Sequence, residues 1–319
     1  MPRSLTIWTL VGVAVVVGAV LISRPDPQTC AAGAPGTTRP APAWRIEYLP
    51  GKTLGEIFNE SIDESSGVAS GRINENVLWT HNDSGDKPRI FAMNLAGADL
   101  AQVTIAGAAA RDWEDICSFE IGSRSFLMLA DVGDNAFVRK VCTLYIVPEP
   151  KLNAARRGAR TSVPVAMKIN FKYSDGAHNC ESVAVDTTSK TIYLISKHKR
   201  PTCKVYALGL PARSPRTLLV ARPIAALVIP TATAMDMSPD GLRAVVCTYG
   251  HAYEYVRRAE ETWTHGFARK PRKIELPYRS QGESICYGPD GKTLYLTSEN
   301  LPAPLLKIPV KTATTKPKR

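Results

Sequence analysis

Five oxygen-bearing side chains occupy equivalent places along the chain, each close to the start of a short apolar run. They are Ser66, Glu114, Glu181, Thr233 and Glu283, called the anchors below. Three glutamates that converge on one place repel one another unless they are protonated or a cation lies among them. Oxygen ligands without histidine or cysteine suit Ca²⁺ and argue against zinc. The pattern predicts a calcium site formed by the anchors; the alternative is that the acids bind strand-start amides and axial water.

A second polar set follows the next apolar run of the same stretches. Its carboxylates Asp83 and Asp131 are predicted to act as a general base or as partners of a metal-bound water. Three basic residues are available for an anionic ligand: Arg111, Arg139 and Lys197. Four further ligand-binding candidates belong to the set: Asn82, Asp134, Asn135 and Glu299. The alternative interpretation is turn chemistry, because Asn, Asp, Ser and Gly are common in tight connections.

The stretches are copies of one repeat. Aligning Ser238–Gly241 with Gly288–Gly291, which share Pro-Asp-Gly, places Thr233 on Glu283. Each copy contains short β-type apolar runs separated by turn residues and no long helical segment, a pattern typical of propeller blades. The sequence therefore predicts an all-β fold, a β-propeller with five blades favoured and six possible. The first strand of each blade would bring its anchor to the central axis.

Two irregularities affect the blade count and its closure. The long interval between Glu114 and Glu181 is explained by an insertion at Pro148–Val163, with a short helix predicted at residues 151–157. A sixth blade hidden in this interval is the alternative. The last repeat lacks a fourth strand, and we expect Trp44–Leu49 to supply it, because pairing the two chain ends removes an exposed sheet edge.

The N-terminus predicts export. Residues 1–24 contain an apolar stretch from Leu5 to Ile22, which indicates an uncleaved membrane anchor or, alternatively, a cleaved secretory signal. Residues 25–43 are rich in Ala, Pro, Gly and Thr and form a predicted linker. The propeller is expected at residues 44–312 and a basic tail at 313–319. The domain should then lie outside the cytoplasm, periplasmic or at the cell surface, tethered to the membrane or secreted.

Charge gives a weak indication of the partners, and cysteine content gives a weak indication of disulfides. The formal net charge is +11, but the basic residues are scattered or lie in the tail, and no recognition-helix pattern or aromatic-interleaved basic stripe accompanies them. Nucleic acid is therefore disfavoured, and a monomeric propeller is expected. In an exported domain cysteines can form disulfides, and Cys180 with Cys203 is the first pair to test; buried free thiols are the alternative.

Four phrases of the sequence are distinctive: Glu64–Gly67, Leu78–Gly85, Asp112–Ile116 and Asp131–Asn135. They resemble phrases of exported bacterial propeller proteins of the phytase-like or esterase-like type, over residues 60–150. The order of the anchors, hydroxyl, Glu, Glu, hydroxyl, Glu, is also similar to the central calcium ring of apyrase-type calcium-activated nucleotidases. Those are five-bladed propellers that hydrolyse nucleoside diphosphates, so the resemblance implies a bound calcium ion. It does not extend to that family's nucleotide-binding basic residues or catalytic acids.

Two function classes follow from these features. The first is a metal-dependent hydrolase of an anionic phosphoester or ester, with Ca²⁺ as its cofactor. The sequence has no Gly-x-Ser-x-Gly elbow, phosphate-cradling glycine-rich loop or His-Glu-x-x-His, which disfavours serine hydrolases, P-loop enzymes and zincins. The second class is a non-catalytic binding or scaffold module for an envelope ligand or protein partner, which the predicted tether, the linker and the missing nucleophile favour.

Overall fold

The computed structural model describes residues 46–153, 157–198 and 201–311. Within them the elements are, in chain order, β1 (Lys52–Glu56), β2 (Ser65–Ser70), β3 (Val77–Asn82), β4 (Arg89–Asn94), β5 (Asp99–Ala106), β6 (Trp113–Ile121), β7 (Arg124–Asp131), β8 (Cys142–Pro148), β9 (Ala159–Pro164), β10 (Met167–Tyr173), β11 (Cys180–Asp186), β12 (Thr191–Ser196), β13 (Cys203–Gly209), β14 (Leu219–Leu227), β15 (Ala232–Met237), β16 (Arg243–Thr248), β17 (His251–Val256), α1 (Trp263–Phe267), β18 (Arg272–Glu275), β19 (Cys286–Tyr287), β20 (Leu294–Leu296) and β21 (Pro304–Ile308).

The strands form five antiparallel units of four, which confirms the predicted five-bladed propeller. Blade 1 is β2 to β5, blade 2 is β6, β7, β8 and β10, blade 3 is β11 to β14, blade 4 is β15 to β18, and blade 5 is β19, β20, β21 and β1. A parallel pairing of β10 with β14 joins the outer strands of blades 2 and 3. The residues described contain no sixth blade.

An N-terminal strand closes the propeller, but it lies later in the chain than predicted. Strand β1 pairs with β21, with Glu56 opposite Pro304, whereas the predicted segment 44–49 contributes one bridge, from Tyr48 to Val310. The hydroxyl of Tyr48 donates to Glu254 of blade 4 at 2.6 Å, and Arg272 covers its ring. The segment around Tyr48 therefore adds only this one bridge, beyond the end of β21, and the chain completes the ladder of blade 5 with β1, after Pro50-Gly51.

The insertion in blade 2 forms a strand of the neighbouring blade. Strand β9 runs parallel to β5 and extends the sheet of blade 1 to five strands, with Val103 opposite Thr161. The insertion therefore covers an outer edge that would otherwise expose unpaired backbone groups. The short helix predicted for residues 151–157 falls partly on residues 154–156, outside the described residues.

Buried aspartates satisfy the inner edges of the blades. The first strand of each blade pairs on one side only, so its other edge of N–H and C=O groups faces the axis. Asp115 on β6 accepts hydrogen bonds from the N–H groups of Val183 at 2.8 Å and Met235 at 3.3 Å, on β11 and β15. Asp236 on β15 accepts from Tyr287 on β19 at 2.8 Å. Side chains on the axis thus join neighbouring inner strands that share no ladder.

Apolar side chains fill the spaces between blades. Trp79 of blade 1 and Trp113 and Tyr145 of blade 2 are buried in one cluster, as expected from their strand positions. The same packing buries the cysteines. Cys180 and Cys203 are free buried thiols, so the predicted disulfide between them is wrong. A core of this size excludes solvent without a covalent link.

The predicted signal or anchor at residues 1–24, the linker at 25–43 and the basic tail at 313–319 all lie outside the described residues. In the three ranges that are described, no helix has the length and apolar character needed to cross a membrane. The location of the protein therefore stays a prediction from the sequence.

Candidate functional site

The anchors occupy a special backbone position. In four blades the register between the first and second strands skips one residue, and the skipped residues are Ser66, Glu114, Glu181 and Thr233. A bulge residue leaves the ladder and can direct its side chain away from the sheet. All five anchors are buried, at the end of the axis where the inner strands begin. That end is called the mouth below.

A second equivalent position completes the mouth. Four residues that follow a second strand each donate a backbone N–H to the carbonyl two residues before the anchor. Asp83, Val132 and Lys197 come one residue after the strand and Glu299 three residues after it, and the carbonyls are those of Glu64, Asp112, Asn179 and Gln281. Repetition of this bond in four blades places the side chains of both positions around the same opening. The mouth therefore has two layers, the anchors and this rim.

Three carboxylates from blades 1 and 2 converge at the mouth. Asp83, Asp112 and Glu114 can each present one oxygen so that the three oxygens lie within 4.8 Å of one another. Gly133 permits this approach, because a Cβ there would lie 2.0 Å from Glu114 Oε1 and 2.5 Å from Asp112 Oδ2. Within the described part of the chain, none of the three carboxylates forms an ion pair.

Asp83 also belongs to a second group of acids. Its oxygen lies within 4.8 Å of oxygens of Glu283 and Glu299. Glu283 and Glu299 share a hydrogen bond, so one of the two carboxyls holds a proton. Asp83 therefore lies between a proton-sharing pair on one side and two unpaired carboxylates, Asp112 and Glu114, on the other.

Lys197 supplies an internal cation to two anchors. Its ammonium forms an ion pair with Glu181 and lies 3.2 Å from Glu283 Oε1. The hydroxyl of Tyr249 donates to the same Glu283 oxygen at 2.6 Å. Although burial opposes the charge, these two carboxylates raise the pKa of Lys197 above its usual range. Lys197 was predicted to bind an anionic ligand, and in the structure its single positive charge is shared by the anchors of blades 3 and 5.

The crowding of acids at the mouth raises the pKa values of most of the remaining carboxyl groups. Burial, assisted by the charges of Asp112 and Glu283, raises the pKa of Asp83 to about 6. Burial and the neighbouring carboxylates raise the pKa of Glu114 well above its usual range. Burial and the hydrogen bond to Glu283 raise the pKa of Glu299 to about 9. Glu283 differs from these acids. Burial acts to raise its pKa, but its hydrogen bonds and the charge of Lys197 outweigh burial, so the pKa of Glu283 is lowered.

The two hydroxyl anchors join neighbouring blades. Ser66 Oγ donates to the carbonyl of Glu114 at 2.9 Å, and Thr233 Oγ1 donates to the carbonyl of Gly282 at 3.1 Å. Each bond connects one blade to the bulge region of the next. The hydroxyl oxygens keep free lone pairs, but their first role is to hold the anchor layer together.

Most of the other residues that were predicted to bind a ligand or act in catalysis stabilise their own loops. Asp131 forms a buried ion pair with Arg139 at 2.8 Å, and Arg139 also donates to the carbonyl of Gly133. Asp134 accepts the backbone N–H groups of residues 138 and 139. Asn135 accepts a hydrogen bond from Asn179, and Asn82 donates to Ser61, Asp63 and Asp86. Arg111 is exposed beside Asp112. Their predicted roles in ligand binding stay predictions.

Two residues of the site were missed by sequence reasoning. Asp112 lies two residues before the anchor of blade 2, within the phrase Asp112–Ile116, which carried only the resemblance to exported propeller proteins. Tyr249 follows the second strand of blade 4, the place that Asp83, Lys197 and Glu299 occupy in other blades. Aligning that position in all five repeats would have found Tyr249.

Glu299 should make the protein less stable as the pH rises. We expect the free energy of unfolding of protein stripped of divalent cations by chelator to fall between about pH 5 and about pH 9, as Glu299 comes under pressure to lose its proton. Its folded-state pKa of about 9 exceeds the ordinary value of 4.5, so its contribution is complete below pH 4.5 and is lost as pH rises through 9. Urea unfolding of wild type and Glu299→Gln across this range measures the difference. The two stability curves should diverge in favour of the variant with rising pH; parallel curves would contradict the assignment.

No family model matches the chain, and no curated protein matches it. Among solved structures it is similar to one described as a putative 6-phosphogluconolactonase from Bacteroides uniformis. The identity is 12% and the TM-score 0.39, over 79% of this chain and 68% of that chain. A likeness at this level carries no argument about activity, so the functional conclusion rests on the mouth.

Proposed function

We propose that the mouth binds Ca²⁺ between Asp83, Asp112 and Glu114, and that the protein hydrolyses an anionic phosphoester or ester there. The observation that carries the proposal is the convergence of these three carboxylates, which form no ion pair among the described residues, beside two anchors that share the ammonium of Lys197. Converging carboxylates are stabilised by a cation far more than by protonation at neutral pH.

The donor set fits this ion. Ca²⁺ takes six to eight oxygen ligands in flexible geometry, and three carboxylates with carbonyls, waters and ligand oxygens satisfy it. Asp83 Oδ1 is buried and has no hydrogen-bond partner among the described residues, as is also true of Glu299 Oε1. Polar atoms in this state are costly unless a ligand binds them. The proposal keeps Glu114 from the predicted calcium set and replaces its other members with Asp83 and Asp112.

The chain's own residues can move the protons of a hydrolysis. A bound divalent cation would polarise the scissile phosphoryl or carbonyl group and acidify a water. Asp83 is placed to accept a proton from the attacking water while the water oxygen forms its bond to phosphorus or carbon. The protonated Glu283–Glu299 pair can then give a proton to the leaving alkoxide as the ester bond breaks. Acid and alcohol are released, and the two carboxyl sites exchange one proton to reset.

Asp131, predicted with Asp83 as a catalytic acid, has no such role in the proposal. Its carboxylate is buried against Arg139, and the same arginine holds the loop that carries Gly133. A general base must release and accept protons near the substrate. Asp131 instead holds the loop that shapes the site.

The proposal retains the predicted location. An exported domain tethered by residues 1–24 would act on an envelope ligand or on an anionic small molecule outside the cytoplasm, as a monomer. Protease accessibility of the domain in spheroplasts, whose outer envelope is opened while the inner membrane stays intact, tests the location, and digestion only after the inner membrane is lysed would contradict it.

Calcium titration of chelator-stripped protein is the first test. Calorimetry should show saturable binding, and Gly133→Ala, whose added Cβ displaces the carboxylates of Asp112 and Glu114, should weaken it by about 10-fold, roughly 1.4 kcal/mol. Gly107→Ala, at a glycine with open space around it but a positive φ of 88°, reports the effect of an unrelated glycine replacement. Absence of saturable binding in the wild type would contradict the proposal.

A substrate panel separates the two function classes. Phosphomonoesters, phosphodiesters, nucleoside diphosphates and carboxylic esters are assayed with Ca²⁺ and with EDTA. Turnover that EDTA abolishes and Ca²⁺ restores supports a hydrolase. Calcium binding with no turnover on any class would instead favour the non-catalytic binding module, and turnover that survives EDTA would rule out the proposed chemistry.

A further inference from the structure

The loops around the mouth can be assigned from the strand directions. Inner strands begin at the mouth and second strands end there, so the connections from second to third strands open onto this face. The connections from each fourth strand to the next inner strand return to it as well. Residues 132–141, 228–231, 276–282 and 297–303 are such connections.

These connections expose large apolar side chains. The apolar rim, as we call them, consists of Phe137, Val138, Val228, Tyr278 and Leu301, with Tyr278 92% and Val228 84% exposed. They come from blade 2, from the connections between blades 3 and 4 and between blades 4 and 5, and from blade 5. Single exposed apolar residues are ordinary, but their grouping on the face that carries a charged opening is not.

Two exposed aromatic side chains, Phe137 of the apolar rim and Tyr249, lie beside the mouth. The ring of Phe137 stacks on His198, the neighbour of Lys197, with centroids 6.2 Å apart. Tyr249 is 41% exposed, and its hydroxyl donates to Glu283. Apolar surface therefore begins immediately beside the buried acids.

We propose that the ligand of this site is an amphiphile, with an anionic phosphoester or ester head in the mouth and a hydrocarbon portion on the apolar rim. The inference rests on the proposed function, because the cation between Asp83, Asp112 and Glu114 is what receives the anionic head. A purely hydrophilic ligand would leave Val138, Val228 and Tyr278 in water. A hydrocarbon chain covers them and gains up to about 0.8 kcal/mol for each methylene that it buries.

Calorimetry with methyl phosphate and octyl phosphate tests the inference on the full chain in the presence of Ca²⁺. Both probes have the same head, and octyl phosphate is kept below its micelle concentration. We expect octyl phosphate to bind at least about 10-fold more tightly, because even partial burial of its added methylenes exceeds 1.4 kcal/mol. The double variant Val138→Ser/Tyr278→Ser should reduce this ratio severalfold and leave methyl phosphate binding unchanged.

The matched control is Ile73→Ser/Ile121→Ser. These isoleucines have comparable exposure to Phe137 but lie at the opposite end of the axis, Ile73 in the connection after the inner strand β2 and Ile121 as the last residue of the inner strand β6. The control should keep the wild-type ratio. Equal affinity for the two probes, or a ratio that the rim variant leaves unchanged, overturns the inference. Failure of calcium itself to bind would instead contradict the proposed function, and the calcium titration shows this before either phosphate is added.

A competition arm distinguishes two sources of such a head. Phosphatidylcholine vesicles that contain phosphatidic acid are added to the complex with octyl phosphate. Displacement of octyl phosphate by the vesicles supports the inference and identifies a lipid in a bilayer as the source of the ligand. Displacement only by free octanoate or alkyl phosphates also supports the inference and identifies a dissolved amphiphile as the source. A complex with octyl phosphate that none of these competitors displaces overturns it.

Discussion

Replacing Asp115 with alanine is expected to lower the free energy of unfolding by about 3 kcal/mol or more, because three buried N–H groups, those of Ile116, Val183 and Met235, lose their acceptor at about 1–3 kcal/mol each. The carboxylate lies on the axis without solvent exposure and accepts from Val183 and Met235 on the next two blades. Its removal leaves the inner edges of β11 and β15 facing a dry channel. Urea unfolding followed by circular dichroism measures the loss.

Asparagine at the same position is the informative comparison. Asp115→Asn keeps one carbonyl oxygen, which can still accept from Val183 and Met235, so it should cost less than half as much as alanine. Glu275→Gln, on the exposed outer strand of blade 4, should leave the unfolding midpoint unchanged. If Asp115→Ala is no more destabilised than Asp115→Asn, the carboxylate is not what joins the inner strands.

Asp83→Asn is expected to weaken calcium binding by about 100-fold, roughly 2.8 kcal/mol, and to abolish hydrolysis. Asp83 is the one residue shared by both acidic groups, and in the proposed chemistry it also accepts the proton of water. The stripped variant should be at least as stable as wild type, because the substitution removes a carboxylate that its neighbours repel. Calorimetry and urea unfolding on the same preparations check both parts.

Asp131→Asn should behave in the opposite way. It leaves Arg139 buried without its partner, a change that costs about 3 kcal/mol for buried ion pairs. Where the variant remains folded, its calcium affinity should stay within a few-fold of wild type. Two variants that lose calcium binding equally would show that the site does not separate Asp83 from Asp131 in this way.

The blade architecture was predictable because it depends on patterns between residues that are close together in the sequence. Pro-Asp-Gly turns and short alternating runs recur at similar intervals, and each blade needs only neighbouring strands to pair. The position of the closing strand was not predictable to the same extent. Both segments 44–49 and 52–56 can form strands, and the choice follows from Tyr48, whose hydrogen bond to Glu254 joins residues 206 apart in the chain.

The site was predictable in part for the same reason. Glu114 and Asp83 were found because the repeat places them at equivalent positions, where the bulge and the following loop direct side chains to the mouth. The calcium set predicted from the repeat stays a prediction, and the proposed site shares only Glu114 with it. The sequence shows that Lys197 and Glu283 lie near strand ends, but it does not show that their side chains meet, since 86 residues separate them.

The sequence by itself determined the repeat, the five blades and the set of acids that reach one end of the axis. Those depend on strand periodicity and turn residues, which act over short separations. The tertiary structure decided which acids form ion pairs. Lys197 pairs with Glu181 and Glu283, and Asp115 spans 120 residues to Met235, whereas Asp83, Asp112 and Glu114 form no ion pair among the described residues. Such pairings depend on distances between blades, because electrostatic and hydrogen-bond energies fall steeply with separation in space and are independent of separation along the chain.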